Sequence, residues 1–349
     1  MRRLLGGKQV WGLGVLLVAL AMLAPLFILD RFTTLEWAYV WLFAIAIVGL
    51  NILTGYSGQI SLGNGAFMAI GAYVTAILVH DHGWPYLATI PLAALVAGVG
   101  GFLFGIPALK LSGIYLALAT FTLAIATGPF IKHYGTITHG HEGIVLQQAN
   151  DPTGAGLTSE QWVYYLCLVI AIVLFLFARA MTASRTGRAW RAIRDSETAA
   201  AASGISLAYY KTLAFAISAL FAGVAGSLDA IVTAYVSPDS FDLPLSLGLL
   251  VGAVVGGLGT VAGPWIGAGW AIWLPYFSQR LKFNGQGIKP DIAYGVILIL
   301  LMFVMPQGVV GGLWRLWGRF RGTRRAEESV EVLDQPTPSP EAEAAPTVR

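Results

Sequence analysis

Charge is what this chain has least of. Asp, Glu, Lys and Arg make up 11% of its 349 residues, where soluble domains carry about 25%. That shortage excludes an ordinary water-exposed surface. Cysteine is nearly absent too. The single Cys167 can form no internal disulfide, and its place in an apolar run suits a small buried hydrophobe. No nucleophile, base and orienting group come together in the sequence, so no catalytic constellation is read. A phosphate-binding loop is also missing: Gly6-Gly7-Lys8 lacks the spaced glycine and the Ser or Thr that such a loop needs.

Apolar residues fill the space that charge leaves. They form 56% of the chain, in runs long enough to cross a bilayer core of about 30 Å. The expectation is an all-α polytopic integral membrane protein with about 10 spans, at roughly 10–29, 36–54, 65–80, 85–108, 113–131, 161–181, 212–235, 245–258, 262–279 and 291–308. The pair over 245–279 is interrupted by Gly256-Gly257-Leu258-Gly259 and Pro264. If it is re-entrant, eight spans remain and the sides of the others are unchanged. The first run continues through Leu29, longer than the 7–15 residues of a signal-peptide core, so a retained span is expected. The net charge of +3 is no nucleic-acid signal, because the basic residues flank spans. Of the 21 Lys and Arg, only Arg31, Lys132, Arg280, Lys282 and Lys289 fall on one side; the remaining 16 fall on the other, which the positive-inside rule makes cytoplasmic, with both termini. The membrane part is read as 1–312. The tail 313–349 begins with an aromatic and basic anchor and ends acidic and Pro/Ala-rich, a composition that cannot build a core.

Two polar segments stand out against this background. In the first, Asn51 to Phe67, four glycines fall within Gly55–Gly65, which makes a poor continuous helix. Broken backbone at membrane depth survives where protein buries it or where it lines a cavity. Ser57, Gln59, Ser61 and Asn64, with Gly58 and Gly63, are thus candidates for a translocation path; a plain turn leading into a helix at Ser61 is the competing expectation. The second segment, 182–211, is basic and lies between two spans. Arg188–Ser203 has good helix formers, Ser196 can cap a short helix, and Gly204 suits the position after its end.

Smaller signals carry less. Asp229 is the one acid placed inside a span away from its first residue, where carboxylates are costly and tend to be functional. All five histidines fall at the outer ends of spans or in loops; His139-Gly-His141-Glu142 matches no strong zinc spacing, and no metal is expected. Gly259, Gly263 and Gly267 have the small-xxx-small spacing that lets helices approach, within the subunit or against a second one.

Glu197-x-Ala199-Ala200-x-x-x-Gly204 resembles the EAA-type coupling loop of bacterial ABC-importer permeases. GLNILTGYSGQISLGNGAFMAIGAY is similar to the signature stretch of the LivM-type branched-chain amino acid permeases. Ser237-Pro238-Asp239-Ser240-Phe241, Gly256-Gly257-Leu258-Gly259-Thr260 with Gly263-Pro264, and Pro306-Gln307-Gly308 follow in that family's order, so the resemblance covers about 49–312. Asn64 stands where the family commonly has His, and Asp195-Ser196 and Thr198 depart from its coupling loop.

The resemblance implies a permease subunit of an ATP-driven importer in the bacterial inner membrane, moving branched-chain or related amino acids by alternating access. A urea or aromatic-acid permease of the same superfamily is the alternative, with an ion-driven carrier further off. It also implies a LivH-like second permease, two ATPase subunits that bind ATP-Mg, and a periplasmic or surface-tethered binding protein. The chain itself would hold no cofactor. Arg194, Asp195, Glu197, Ala199, Ala200 and Gly204 would then meet the ATPase.

Overall fold

The computed structural model describes residues 30–109, 111, 113–151 and 156–280, with fragments at 282–283 and 286–287 and single positions at 295, 299 and 308. A chain crossing lipid must satisfy its backbone locally, and helices do so. α1 (Arg31–Leu50) runs on into a π-helical turn, Asn51–Tyr56. α2 (Asn64–His80), α3 (Tyr86–Ala108) and α4 (Ile114–His133) follow. After strand β1 (Ile144–Val145) comes α5 (Ser159–Ala183), which starts at a capping box between Thr158 and Gln161. The short α6 (Arg185–Asp195) and α7 (Glu197–Ala202) lead to α8 (Leu207–Thr233). Strand β2 (Tyr235–Val236), a 3-10 turn (Pro238–Phe241), α9 (Leu243–Gly256) and α10 (Gly263–Arg280) come next.

The chain is an all-α polytopic membrane protein. Among the described residues, six segments are long and apolar enough to cross a membrane: Arg31–Tyr56, Tyr86–Ala108, Ile114–His133, Ser159–Ala183, Leu207–Thr233 and Pro238–Gly256. Five of them match expected spans within a few residues. The expected span at 10–29 and nearly all of that at 291–308 lie outside the described residues, as does the tail 313–349. α2 is apolar but has 17 residues. α10 is not among the six; three tryptophans and three glycines dilute its hydropathy.

Two helices form the centre. The most apolar stretch of α1 is 83% buried and that of α8 is 78%, against 33% for α3 and 28% for α4 and α5. Small residues bring α8 close to its neighbours: a Cβ on Gly71 of α2 would collide with the Gly223 backbone, and one on Gly101 of α3 with Ala219. α9 and α10 pack as an antiparallel hairpin, Gly252 against Gly267 and Gly256 against Gly263. The small-residue pattern therefore packs Gly263 and Gly267 inside the subunit. Gly259 differs: it sits in the hairpin's turn at φ +72°, facing Gly55 and Arg194. Aromatic edges join α10 to α1, with Trp37–Trp273 centroids at 4.8 Å and Trp41–Trp265 at 5.3 Å.

The side of the molecule away from α6 and α7 is closed by short ties. β1 pairs antiparallel with β2, Ile144 opposite Val236. Lys132 Nζ lies 2.6 Å from Asp239 Oδ1, and Tyr86 accepts from Trp162 Nε1 at 2.7 Å while donating to the Asn150 carbonyl.

Candidate functional site

The helix beginning at Arg31 does not simply stop at the glycines. It first widens: Ser57 N–H donates to the Ile52 carbonyl and Gln59 N–H to the Leu53 carbonyl, both at 3.1 Å, so the loops of the ladder lengthen before it breaks. Gly58 turns the chain at φ +76°, a conformation that costs a side-chain-bearing residue about 1–2 kcal/mol. The chain re-enters helix at Asn64.

Burial forces each polar group of this break to find a partner. Thr54 Oγ1 donates to the Gln59 carbonyl, and Gln59 Nε2 donates to Ser57 Oγ at 2.6 Å. Thr120 of α4 accepts from Leu62 N–H at 2.9 Å, and Ser246 of α9 accepts from Gly65 N–H at 3.0 Å. Gly63 N–H reaches Ser61 Oγ. Asn64 Oδ1 accepts from Ser218 of α8, while its Nδ2 has no partner among the described residues. Ser57, Gln59, Ser61 and Asn64 are thus buried among the described residues.

The second polar segment folds as a pair of helices. Ser184 caps α6 and Ser196 caps α7, its hydroxyl accepting from Ala199 N–H. Ser196 has extended backbone, which separates the two helices, and Gly204 ends the second at φ +79°. α6 is anchored by Trp190, fully buried, whose Nε1 donates to the Tyr210 carbonyl at 2.9 Å. Ala199, Ala201 and Ala202 are exposed, with Asp195. Ala200 is turned inward at 3% exposure, which corrects the expectation that it shares an outer docking face with Ala199. Six-residue α7 lies against α8, so one of its alanines must face the core. Glu197 is half-exposed, but its carboxylate pairs with Lys211 Nζ at 2.7 Å.

These two segments meet. Arg194, near the end of α6, donates from Nη1 to the Gly55 carbonyl at 2.8 Å, one of the carbonyls freed by the break. Its stem packs over Gly58, where a Cβ would intrude, and its Nη1 also lies against Gly259 of the α9–α10 turn. Asn51 clamps that turn: its Nδ2 donates to the Thr260 carbonyl at 2.8 Å and its Oδ1 accepts from Gly259 N–H at 2.7 Å. A second, longer link runs from Glu197 through Lys211, whose carbonyl lies 3.5 Å from Gln59 Nε2. α6 is therefore bonded directly to the broken segment, and α7 through Lys211.

Among the candidate residues, the structure brings Arg194, Glu197, Gly58 and Gln59 into one connected network. It leaves Asp195, Ala199 and Gly204 on the surface, and Ser61, Gly63 and Asn64 deeper, between α2, α4 and α8. Sequence reasoning missed the parts played by Asn51 and Lys211. Asn51 was visible as an amide within an apolar run. Lys211 reads in the sequence as one more topology-setting base, yet its side chain is only 8% exposed. Asp229 lies elsewhere, in a cavity of about 470 Å³ shared with Glu36, Tyr39, Phe43 and Thr233.

This all-α membrane protein, with an exposed helix pair bonded to a broken membrane helix, is similar to transport permeases. The chain belongs to the family described as branched-chain amino acid transport system / permease component, which matches residues 33–305. It is 33% identical over 322 residues to the high-affinity branched-chain amino acid transport system permease protein LivM of Escherichia coli, covering 85% of this chain and 74% of that protein. The Salmonella typhimurium LivM is 33% identical over 295 residues, 77% of this chain and 68% of its own length. The high-affinity branched-chain amino acid transport system permease protein BraD of Pseudomonas aeruginosa is 25% identical over 77% of this chain and 91% of its own. No solved structure matches this chain.

Proposed function

We propose that this chain is one permease subunit of an ATP-driven importer of branched-chain amino acids, and that α6 and α7 receive the push of a separate ATPase. The substrate class rests on the family and on relatives named for that transport. The mechanical reading rests on one observation: Arg194 of α6 bonds to the Gly55 carbonyl at the break of α1. An ATPase that shifts α6 pulls on Gly55, and through Asn51 and Gly259 on the α9–α10 hairpin. The polar side chains from Ser57 to Asn64 would then exchange partners within the chain for solute or water. Closure of the ATPase pair shifts this equilibrium only if the closed pair binds one arrangement of α6 and α7 better than the other.

On this reading α6, α7 and both termini face the cytoplasm, in the bacterial inner membrane, and β1 and β2 face the binding protein. The other members are a LivH-like permease and two ATPase subunits that hold ATP-Mg.

The docking half is tested on the exposed face of α7. Ala199→Trp or Ala201→Trp places an indole where the partner would sit, while the buried core of the bundle is untouched. The variants should remain in the membrane, lose co-purifying ATPase subunits and lose ATP-dependent uptake in vesicles. Full ATPase association with wild-type uptake in both variants would remove α7 from the docking site.

A further inference from the structure

The outer side carries a cluster that the transport reading does not use. α2 ends in His80, with Asp81 as its C-cap, and from 58 residues further along the chain His139 comes back to meet them. His80 Nδ1 lies 2.7 Å from Asp81 Oδ1, and His139 Nε2 lies 3.3 Å from the same oxygen. The two imidazoles stand edge to face, centroids 5.2 Å apart. One ligand atom from each of the three residues falls within 4.8 Å of the others, the one such group of three among the described residues. The run His139-Gly-His141-Glu142 matches no strong zinc spacing in the sequence; the fold pairs His139 with the end of α2 instead.

We propose that His80, Asp81 and His139 form a surface site for a divalent transition-metal ion of the zinc class. Donors about 2.0–2.2 Å from a tetrahedral ion stand about 3.3–3.5 Å from one another. The His139–Asp81 distance already fits, the His80–Asp81 distance needs to open by less than an ångström, and the two imidazoles offer nitrogens within 4.8 Å of each other, which the ion would draw together. Imidazole and carboxylate donors suit zinc, nickel or copper rather than magnesium or calcium. Three protein ligands leave the fourth position to water. The backbone at His139 is built for this placement. It is left-handed at φ 59°, one of two such non-glycine residues described, and Gly140 follows at φ 59°. Thr138 fixes the turn, its Oγ1 donating to the Ile131 carbonyl at 2.6 Å. The double turn directs the imidazole back across the surface to α2.

Neighbouring histidines are engaged otherwise. His82 Nδ1 lies 3.5 Å from the Ile77 carbonyl, and the His133 ring packs on Tyr134. Without metal, Asp81 is a carboxylate shared by two imidazoles, and the hydrogen bond from His80 holds its carboxyl below the usual range. Metal binding would replace that shared hydrogen bonding and staple the 134–143 connector to the end of α2. The same connector is already tied on its other flank through β1 and β2.

The test uses the full chain, purified in detergent without a histidine tag, titrated with Zn²⁺ against a chromophoric chelator. One ion should bind per chain. His80→Ala and His139→Ala should each weaken binding at least about tenfold, while His82→Ala and His141→Ala should leave it unchanged. Asp81→His, which keeps a ligand, should retain binding where Asp81→Ala loses it, and Zn²⁺ should raise the thermal midpoint of the wild type but not of His139→Ala. Absence of a one-to-one site would overturn the proposal. So would binding that depends on His82 or His141 rather than on His80 and His139; the cluster would then be an ion pair only.

Discussion

At the scale of single residues, the site depends on backbone groups freed by a broken helix and on the few side chains long enough to reach them. Arg194 is the central case. Its planar fork spans from Gly55 to Asp195, a reach and geometry that lysine does not reproduce. Gly58→Val is expected to lower stability by more than about 1 kcal/mol, from the left-handed backbone, and to displace Arg194 as its methyl groups enter the occupied space. Thermal unfolding in detergent measures the first effect. Lys211 makes a second prediction. Glu197→Gln leaves a nearly buried ammonium without its anion, at a cost of about 1–3 kcal/mol. Adding Lys211→Met should recover most of that loss, because a buried methionine needs no partner. A double variant less stable than Glu197→Gln alone would contradict the pairing. The sequence made these residues visible but not their partners: Asn51 and Gly259 are 208 positions apart, and no local pattern encodes that distance.

At the scale of elements, helix ends were the most readable feature. Ser196 and Gly204 flank α7 as their side-chain chemistry demands, because capping is local. The presence of most of the long helices was readable as well, from apolar runs of about 20 residues. Facing was not. Ala199 and Ala200 look alike in sequence, yet one is exposed and the other buried. The α9–α10 hairpin gives an element-scale prediction. Gly267→Ala drives a methyl into the Gly252 backbone and should cost about 1–3 kcal/mol through overpacking. Gly248→Ala, on the same hairpin, meets nothing within 4 Å and should be neutral or stabilising by up to about 1 kcal/mol. Equal thermal midpoints for the two variants would mean that the hairpin does not pack in this way.

At the scale of the whole molecule, two central helices carry the connection between the exposed helix pair and the membrane interior. Hydropathy cannot distinguish them from the outer ring, because lipid and protein core are equally apolar. The most apolar stretches of α1 with its π-helical turn and of α8 both have a mean hydropathy of 1.9, within the 1.8 to 2.5 of the less buried α3, α4 and α5. What did mark the site was polarity inside an apolar chain: the glycine-broken stretch at 55–65 and the basic stretch at 182–211. The fold adds that the two stretches are bonded to each other at Gly55. The most direct test of that claim is Arg194→Gln in the assembled transporter, with ATPase co-purification, ATP hydrolysis and ATP-driven uptake measured on the same preparation. Glutamine removes the reach to Gly55 while leaving the outer face of α7 unchanged. The expected result is normal association and continued hydrolysis with uptake reduced at least about tenfold, a loss of roughly 1.4 kcal/mol in coupling. Uptake at the wild-type rate per ATP hydrolysed would contradict the account.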